Sequence, residues 1–237
     1  DGSFMTMTTE VSRLMDIDPG SRVLNFSSYA FDVSILEILG SLLAGACICV
    51  LTEAERRGRL TEALQGLQPS HAHLTPSVLR AMTPNELGSL RTIMLGGEPL
   101  RSSDIQQWVP HARLVPVYGP AECTVVFTVQ SPVDSSSQGG NIGFPIAGAC
   151  WVTDPRDPQR IAPIGAVGEL LLQGPLVGRG YLNSPDQTAT NFISCPTWMR
   201  RVGLTGGGQV YRTGDLVRYE NDGSLSFVGR KDLQVKL

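Results

Sequence analysis

Up to about residue 128, short apolar runs alternate with stretches in which apolar positions recur at helical spacing. The runs "RVLNF" (22 to 26), "CICVL", "HAHL", "RTIML" and "ARLVPVY" have the length of buried strands. Between them the spacing predicts helices over 33 to 45, near 54 to 67, from about Pro76, and near 102 to 109. Asp32 is placed to cap the first of these and Gly45 to end it. Strands separated by helices imply βαβ units and a mostly parallel sheet, in which ligands bind beyond the carboxyl ends of the strands.

Past residue 128 the pattern changes. "SPVDSSSQGGN" is a polar loop, and the runs that follow, such as "GELLLQG", "QVYRTGDLVRY" and "LSFVG", are short, β-type and punctuated by glycine. Helical periodicity nearly vanishes. The expected fold class is α/β: a mostly parallel sheet flanked by helices, then a small β-barrel-like subdomain. The expected divisions are 1–128, 129–230 and a short 231–237 segment. No internal repeat or heptad is visible.

Composition narrows the function. The chain has 237 residues, 41% apolar and 17% charged, enough for one large or two modest cores. A net charge of -3 lacks the clustered basic excess that a nucleic-acid or anionic-membrane surface needs, so any phosphate is held locally. The longest apolar run, "ILGSLLAGACICVL", is broken by Gly and Ser and too short to span a bilayer, and no secretion signal opens the chain; the expected location is the cytoplasm. Five cysteines (Cys47, Cys49, Cys123, Cys150, Cys195) without CxxC spacing read as reduced core thiols. His71 and His73 share a strand face, but no second pair of ligands is in view, so they read as strand histidines rather than half a metal site.

Four motifs carry chemistry. In "VYGPAE", Tyr118 ends a strand at the mouth of the sheet, where its ring can stack on a base; Gly119 and Pro120 turn the chain, and Glu122 offers a hard carboxylate suited to Mg²⁺. By itself this motif is equally a surface turn with a solvated acid. In "YRTGDL", Asp215 follows a Thr-Gly turn and can accept two hydroxyl hydrogen bonds at once, as a ribose diol requires; a plain β-turn Asp is the alternative. "GRKDLQVKL" carries Arg230, Asp232 and Lys236, with the arginine matched to phosphate or ribose oxygens and a solvated charged tail as the alternative. In "LGGEPL" two glycines allow close approach to a ligand and Glu98 is expected to start a helix. No Walker loop and no strand-linked GxGxxG occurs.

Taken in order, "FDVSILEIL" (31 to 39), "LGGEPL", "VYGPAE", "GELLLQGPLVGRGYL" (168 to 182), "YRTGDL" and "GRKDLQVK" resemble the successive core motifs of non-ribosomal peptide synthetase adenylation domains, within the adenylate-forming superfamily. The resemblance implies activation of an amino acid with ATP to an aminoacyl adenylate and pyrophosphate, then transfer to the phosphopantetheine thiol of a carrier protein, beside a condensation domain. The nucleophile then belongs to the substrate, which explains an acid with no catalytic partner in sequence. By residue, it implies Tyr118 on adenine, Glu122 on Mg²⁺, Asp215 on the ribose hydroxyls and Arg230 on ribose or phosphate, with Glu122 and Arg230 as the catalytic pair. Gly97, Glu98, Pro99, Gly119 and Ala121 complete the implied nucleotide contacts, and Asp232 matches a hinge. Asp32 matches the carboxylate for the substrate ammonium, and Val33, Leu36, Ser77, Met94, Gly96, Val117, Val125 and Val126 the side-chain pocket, which implies a neutral, largely apolar amino acid.

The chain departs from that pattern at Pro116 and Ala121, where the family usually has Asn and Thr; both changes remove nucleotide contacts. The family's phosphate loop and C-terminal lobe are absent from the sequence, so the fragment alone is expected to be inactive. Two other readings compete. An acyl- or aryl-CoA ligase of the same superfamily is disfavoured by Asp32, which suits an ammonium; a non-catalytic interaction module is favoured by Pro116 and Ala121.

Overall fold

The computed structural model describes residues 2–201 and 208–231. Contacts group them into two compact units. One comprises Thr8–Tyr118 and Gln130–Gly140; the other comprises the residues before Thr8, Gly119–Val129 and those from Asn141 on.

The first unit is built on five parallel strands: β1 (Arg22–Asn25), β2 (Cys47–Val50), β3 (His71–Leu74), β4 (Thr92–Leu95) and β5 (Arg113–Tyr118). Their order is β2-β1-β3-β4-β5. Every residue of β3 and β4 is buried, as expected of parallel strands covered on both faces. The core around them gathers Leu24, Leu64, Leu79, Ile93, Ile105 and Trp108.

Three local expectations need correction here. The helix after Asp32 runs through Val33–Ile35, a π-turn at Leu36–Gly40 and Ser41–Leu43, but Asp32 already has helical angles and makes no side-chain cap bond. Gly45 does end it, at φ 72°, with the Ala46 amide reaching back to the Ser41 carbonyl. The stretch expected as one helix near 54 to 67 is two, Glu53–Gly58 and Leu60–Leu67, interrupted at Arg59 in a non-helical conformation. Glu98 lies in a bend, and the next helix starts at Ser102 (Ser102–Trp108).

The second unit is antiparallel. Its strands are β6 (Thr128–Val129), β7 (Asn141–Pro145), β8 (Ala149–Asp154), β9 (Asp157–Ile161), β10 (Gly168–Gln173), β11 (Phe192–Ser194), β12 (Gln209–Tyr219) and β13 (Leu225–Arg230). They run β6-β7-β13-β12-β10-β8-β9, with β11 on the first residues of β12. β10 is buried along its whole length between β8 and β12. Helical structure does not vanish here: Pro185–Asn191 and Thr197–Arg201 are short helices. A further helix, Gly2–Met15, counted with the first unit from Thr8 on, has no counterpart among the sequence expectations; Met7, Val11 and Met15, four residues apart, are buried together with Thr8.

Candidate functional site

In the parallel unit, the π-turn after Val33 brings Glu37 inward until its carboxylate is fully buried. It accepts hydrogen bonds from Asn25 Nδ2 at 2.8 Å, from the Ser27 hydroxyl at 2.7 Å and from the Ser27 amide at 3.1 Å. His73 Nδ1 lies 3.8 Å from the same carboxylate. Arg56 donates to the carbonyls of Phe26 and Ser27, the latter at 2.9 Å. Burial raises the Glu37 carboxyl to about 7 against these donors, and burial lowers the His73 imidazole to about 3. The cluster fixes the shape of the 25–37 segment, and with it the backbone that carries Asp32, Val33 and Leu36.

The other pocket candidates of this unit sit on or just beyond β3, β4 and β5. Met94 is buried opposite His73 in the β3–β4 register. A side chain at Gly96 would meet Val117 Cγ2 at 2.9 Å, so those two positions share one tight spot. Glu98 closes the start of the helix Pro76–Arg80: it accepts from the Ser77 amide at 3.0 Å and from the Ser77 hydroxyl, with Arg80 Nη1 at 3.9 Å. Gly97 precedes it at φ 82°, and the Pro99 carbonyl accepts from Arg80. Tyr118, half-buried, ends β5.

In the antiparallel unit, Glu122 lies in a single 3₁₀ turn, Ala121–Cys123. The turn leads into two non-glycine residues at positive φ, Thr124 (60°) and Val125 (67°), a costly conformation for β-branched side chains. Gly119, at the head of this turn, is required for space, since a Cβ there would lie 2.3 Å from the Val125 carbonyl oxygen. The Tyr181 hydroxyl donates to Glu122 Oε1 at 2.6 Å. Burial, and the carboxylate beside it, raise the Tyr181 phenol. Cys123 next to it is fully buried, and burial raises its thiol, which leaves Glu122 as the hard donor of the turn.

Across the β12–β13 ladder Asp215 faces Arg230, and Arg230 Nη1 donates to Asp215 Oδ1 at 2.9 Å and to the Thr213 carbonyl at 2.8 Å. The Thr213 hydroxyl accepts from the Asp215 amide at 3.0 Å. Two residues that the motifs singled out separately thus form one acid–guanidinium pair. Asp232 and Lys236 lie outside the described residues.

The sequence pattern of the family described as "AMP-binding enzyme" matches residues 2–182. The chain belongs to the AMP-binding enzyme family. This AMP-binding chain is 48% identical over 225 residues to the nonribosomal peptide synthetase fmqA of Aspergillus fumigatus, covering 95% of itself but 6% of that protein. Its fold is similar to that of the Vibrio cholerae adenylation domain AlmE, solved with glycyl-adenosine-5'-phosphate: TM-score 0.84, 28% identity, 99% of this chain and 45% of that one. It is also similar to PA1221, an NRPS protein containing adenylation and PCP domains: TM-score 0.83, 30% identity, 97% of this chain and 48% of that one.

For an AMP-binding enzyme the donor set fits magnesium. Mg²⁺ takes one or two protein carboxylates and fills its shell with water and phosphate oxygens. Among the described residues no group of three or more His, Cys, Asp or Glu could cage a metal, His71 and His73 included, while Glu122 supplies one hard carboxylate. All five cysteines are free; Cys49, Cys123 and Cys150 are buried, and Cys47 is exposed, contrary to a core role. No helix among the described residues is long and apolar enough to cross a membrane. Sequence reasoning missed Tyr181 as a partner of Glu122. Tyr181 lies in the quoted run that ends "GRGYL", but nothing along the chain links it to a residue 59 positions away.

Proposed function

We propose that this chain is part of an amino-acid-activating adenylation domain. A carboxylate oxygen of the amino acid attacks the α-phosphorus of ATP, and the bond to the bridging oxygen breaks. Pyrophosphate leaves with that electron pair. The phosphopantetheine thiol of a carrier protein, next to a condensation domain in the same synthetase, then takes the acyl group and AMP departs. Asp32 pairs with the substrate ammonium, and Val33, Leu36, Met94, Gly96, Val117, Val125 and Val126 favour a neutral, largely apolar side chain. Tyr118 stacks on adenine, Asp215 accepts the ribose hydroxyls and Arg230 contacts ribose or phosphate. Gly97, Glu98, Pro99, Gly119 and Ala121 line the nucleotide. Bound at Glu122, Mg²⁺ would neutralise charge on the phosphates.

One observation carries this reading: the Asp215–Arg230 pair sets a diol acceptor and a phosphate-matched cation 2.9 Å apart, in a member of the AMP-binding enzyme family. The test is amino-acid-dependent pyrophosphate exchange by the full-length protein across a panel of amino acids. Exchange is expected with neutral apolar amino acids, and Asp215→Asn is expected to raise KM for ATP about 10- to 100-fold, the worth of a charged hydrogen bond. Exchange with fatty or aryl acids alone, or none with any amino acid, overturns the reading.

A further inference from the structure

The turn that carries Glu122 is gripped along its length by the segment 176–181. The Glu122 carbonyl accepts from the Gly178 amide at 2.8 Å. A Cβ at Gly178 would stand 2.9 Å from that same carbonyl oxygen, so the two backbones touch with no room between them. Two residues on, the Thr124 hydroxyl donates to the Leu176 carbonyl at 2.7 Å, across the positive-φ step that would otherwise relax. The side chain is gripped last, by the Tyr181 hydroxyl at 2.6 Å from Glu122 Oε1.

Tyr181 is itself fixed. Its amide donates to the Thr188 hydroxyl at 2.9 Å, and Gly180, at φ 136°, packs so closely on Thr188 that a Cβ would lie 2.4 Å from Thr188 Cγ2. Its ring meets Phe192 edge-on, with centroids 5.4 Å apart. Around the hydroxyl stand Asn191 Nδ2 and the Tyr211 hydroxyl, each at 3.4 Å. A phenol held on three sides, with a short bond to one half-buried carboxylate, is more than packing requires. It sets the rotamer of that carboxylate before any ligand arrives.

We infer that Tyr181 is a positioning residue for Glu122: its hydroxyl orients the carboxylate that takes the nucleotide's divalent cation, so that metal affinity, and not nucleotide affinity as such, depends on it. The inference rests on the reading of Glu122 as the magnesium carboxylate. Partners that orient a metal-binding carboxylate are worth about 10- to 100-fold in metal affinity.

The experiment is calorimetry of ATP binding to the full-length protein as Mg²⁺ is varied, with wild type, Tyr181→Phe and Glu122→Gln side by side and thermal melting of each. Glu122→Gln is expected to abolish the magnesium dependence. Tyr181→Phe is expected to raise the half-maximal Mg²⁺ concentration about tenfold or more, with ATP affinity in EDTA unchanged and melting close to wild type. If wild type shows no magnesium dependence, or Glu122→Gln leaves that dependence intact, the reading of Glu122 falls, and this inference with it. If Glu122→Gln behaves as expected while Tyr181→Phe titrates like wild type, this inference alone is overturned. Should Tyr181→Phe melt early, its magnesium titration is read at a temperature well below its melting point. A shifted magnesium midpoint then supports the clamp, and an unshifted one rejects it.

Discussion

Glu37 in the parallel unit and Glu122 in the antiparallel unit are held in opposite ways. In the parallel unit Glu37 is sealed from solvent, saturated by three donors and held with its carboxyl raised to about 7. In the antiparallel unit Glu122 is half-buried, with the Tyr181 phenol 2.6 Å from its Oε1. The first arrangement spends its hydrogen bonds inside its own fold, on the Asn25 and Ser27 side chains and the Ser27 amide. The second orients an acid toward something still to come. An acid's partners and exposure, rather than its presence in a motif, separate a shape-keeping group from a ligand-holding one. That contrast predicts which substitutions move stability and which move ligand affinity.

The largest effect belongs to the core on which the parallel unit rests. Trp108, fully buried among Leu64, Leu79, Ile93 and Ile105, is expected to cost about 3–5 kcal/mol when replaced by alanine, read as a lower urea midpoint. ATP affinity, measured where the variant is folded, should be unchanged. A matching loss of affinity would erase the distinction between the two kinds of region.

The sequence made some of this legible and hid the rest for physical reasons. β4, buried at every residue, was visible because a parallel strand covered on both faces reads as an unbroken apolar run, and β2 because its apolar run is intact although Cys47 and Val50 of this edge strand are exposed. Gly45 was readable because a left-handed helix end favours one residue type. The π-turn at Leu36–Gly40 was not, since five residues of helix-compatible sequence do not declare their hydrogen-bond register. Pro185–Asn191 and Thr197–Arg201 are too short and too polar to show a period. The Glu98 cap on Ser77 and the Tyr181 bond to Glu122 join positions 21 and 59 residues apart, and a motif read along the chain carries no signal of such a meeting.

Titration sharpens the contrast next. Glu37 sits above its ordinary 4.5 in the fold, so its contribution favours folding below pH 4.5 and is lost as pH rises toward 7. His73 sits below its ordinary 6.5, so its contribution is present above pH 6.5 and is lost as pH falls toward 3. Between pH 4.5 and 6.5 the folded pair keeps one proton on Glu37 while the unfolded chain keeps one on His73, and the two slopes cancel. Glu37→Gln removes one side of that balance. Relative to wild type, the variant is expected to gain about 3 kcal/mol as pH rises from 4.5 to 7, from urea unfolding at each pH. A difference that stays constant with pH would mean that Glu37 is ionised in the fold.

The smallest effect is expected at a glycine, and its size depends on which unit holds it. Gly45 is at φ 72°, and a Cβ there would make only ordinary contact with Pro19, at 3.5 Å. The cost of Gly45→Ala is therefore conformational alone, roughly 1 kcal/mol for a left-handed non-glycine residue, seen as a small drop in the urea midpoint with ATP affinity untouched. Gly119 is the opposite case: the obstacle is backbone, with the Val125 carbonyl oxygen at 2.3 Å and the Phe127 amide nitrogen at 2.8 Å, so an added methyl must displace the turn that carries Glu122. Gly119→Ala should weaken magnesium-dependent ATP binding beyond any change in stability. If the two alanines instead fell on one line relating stability to affinity, the chain would have a single kind of acid site, and the separation between shape-keeping and ligand-holding carboxylates would have to be given up.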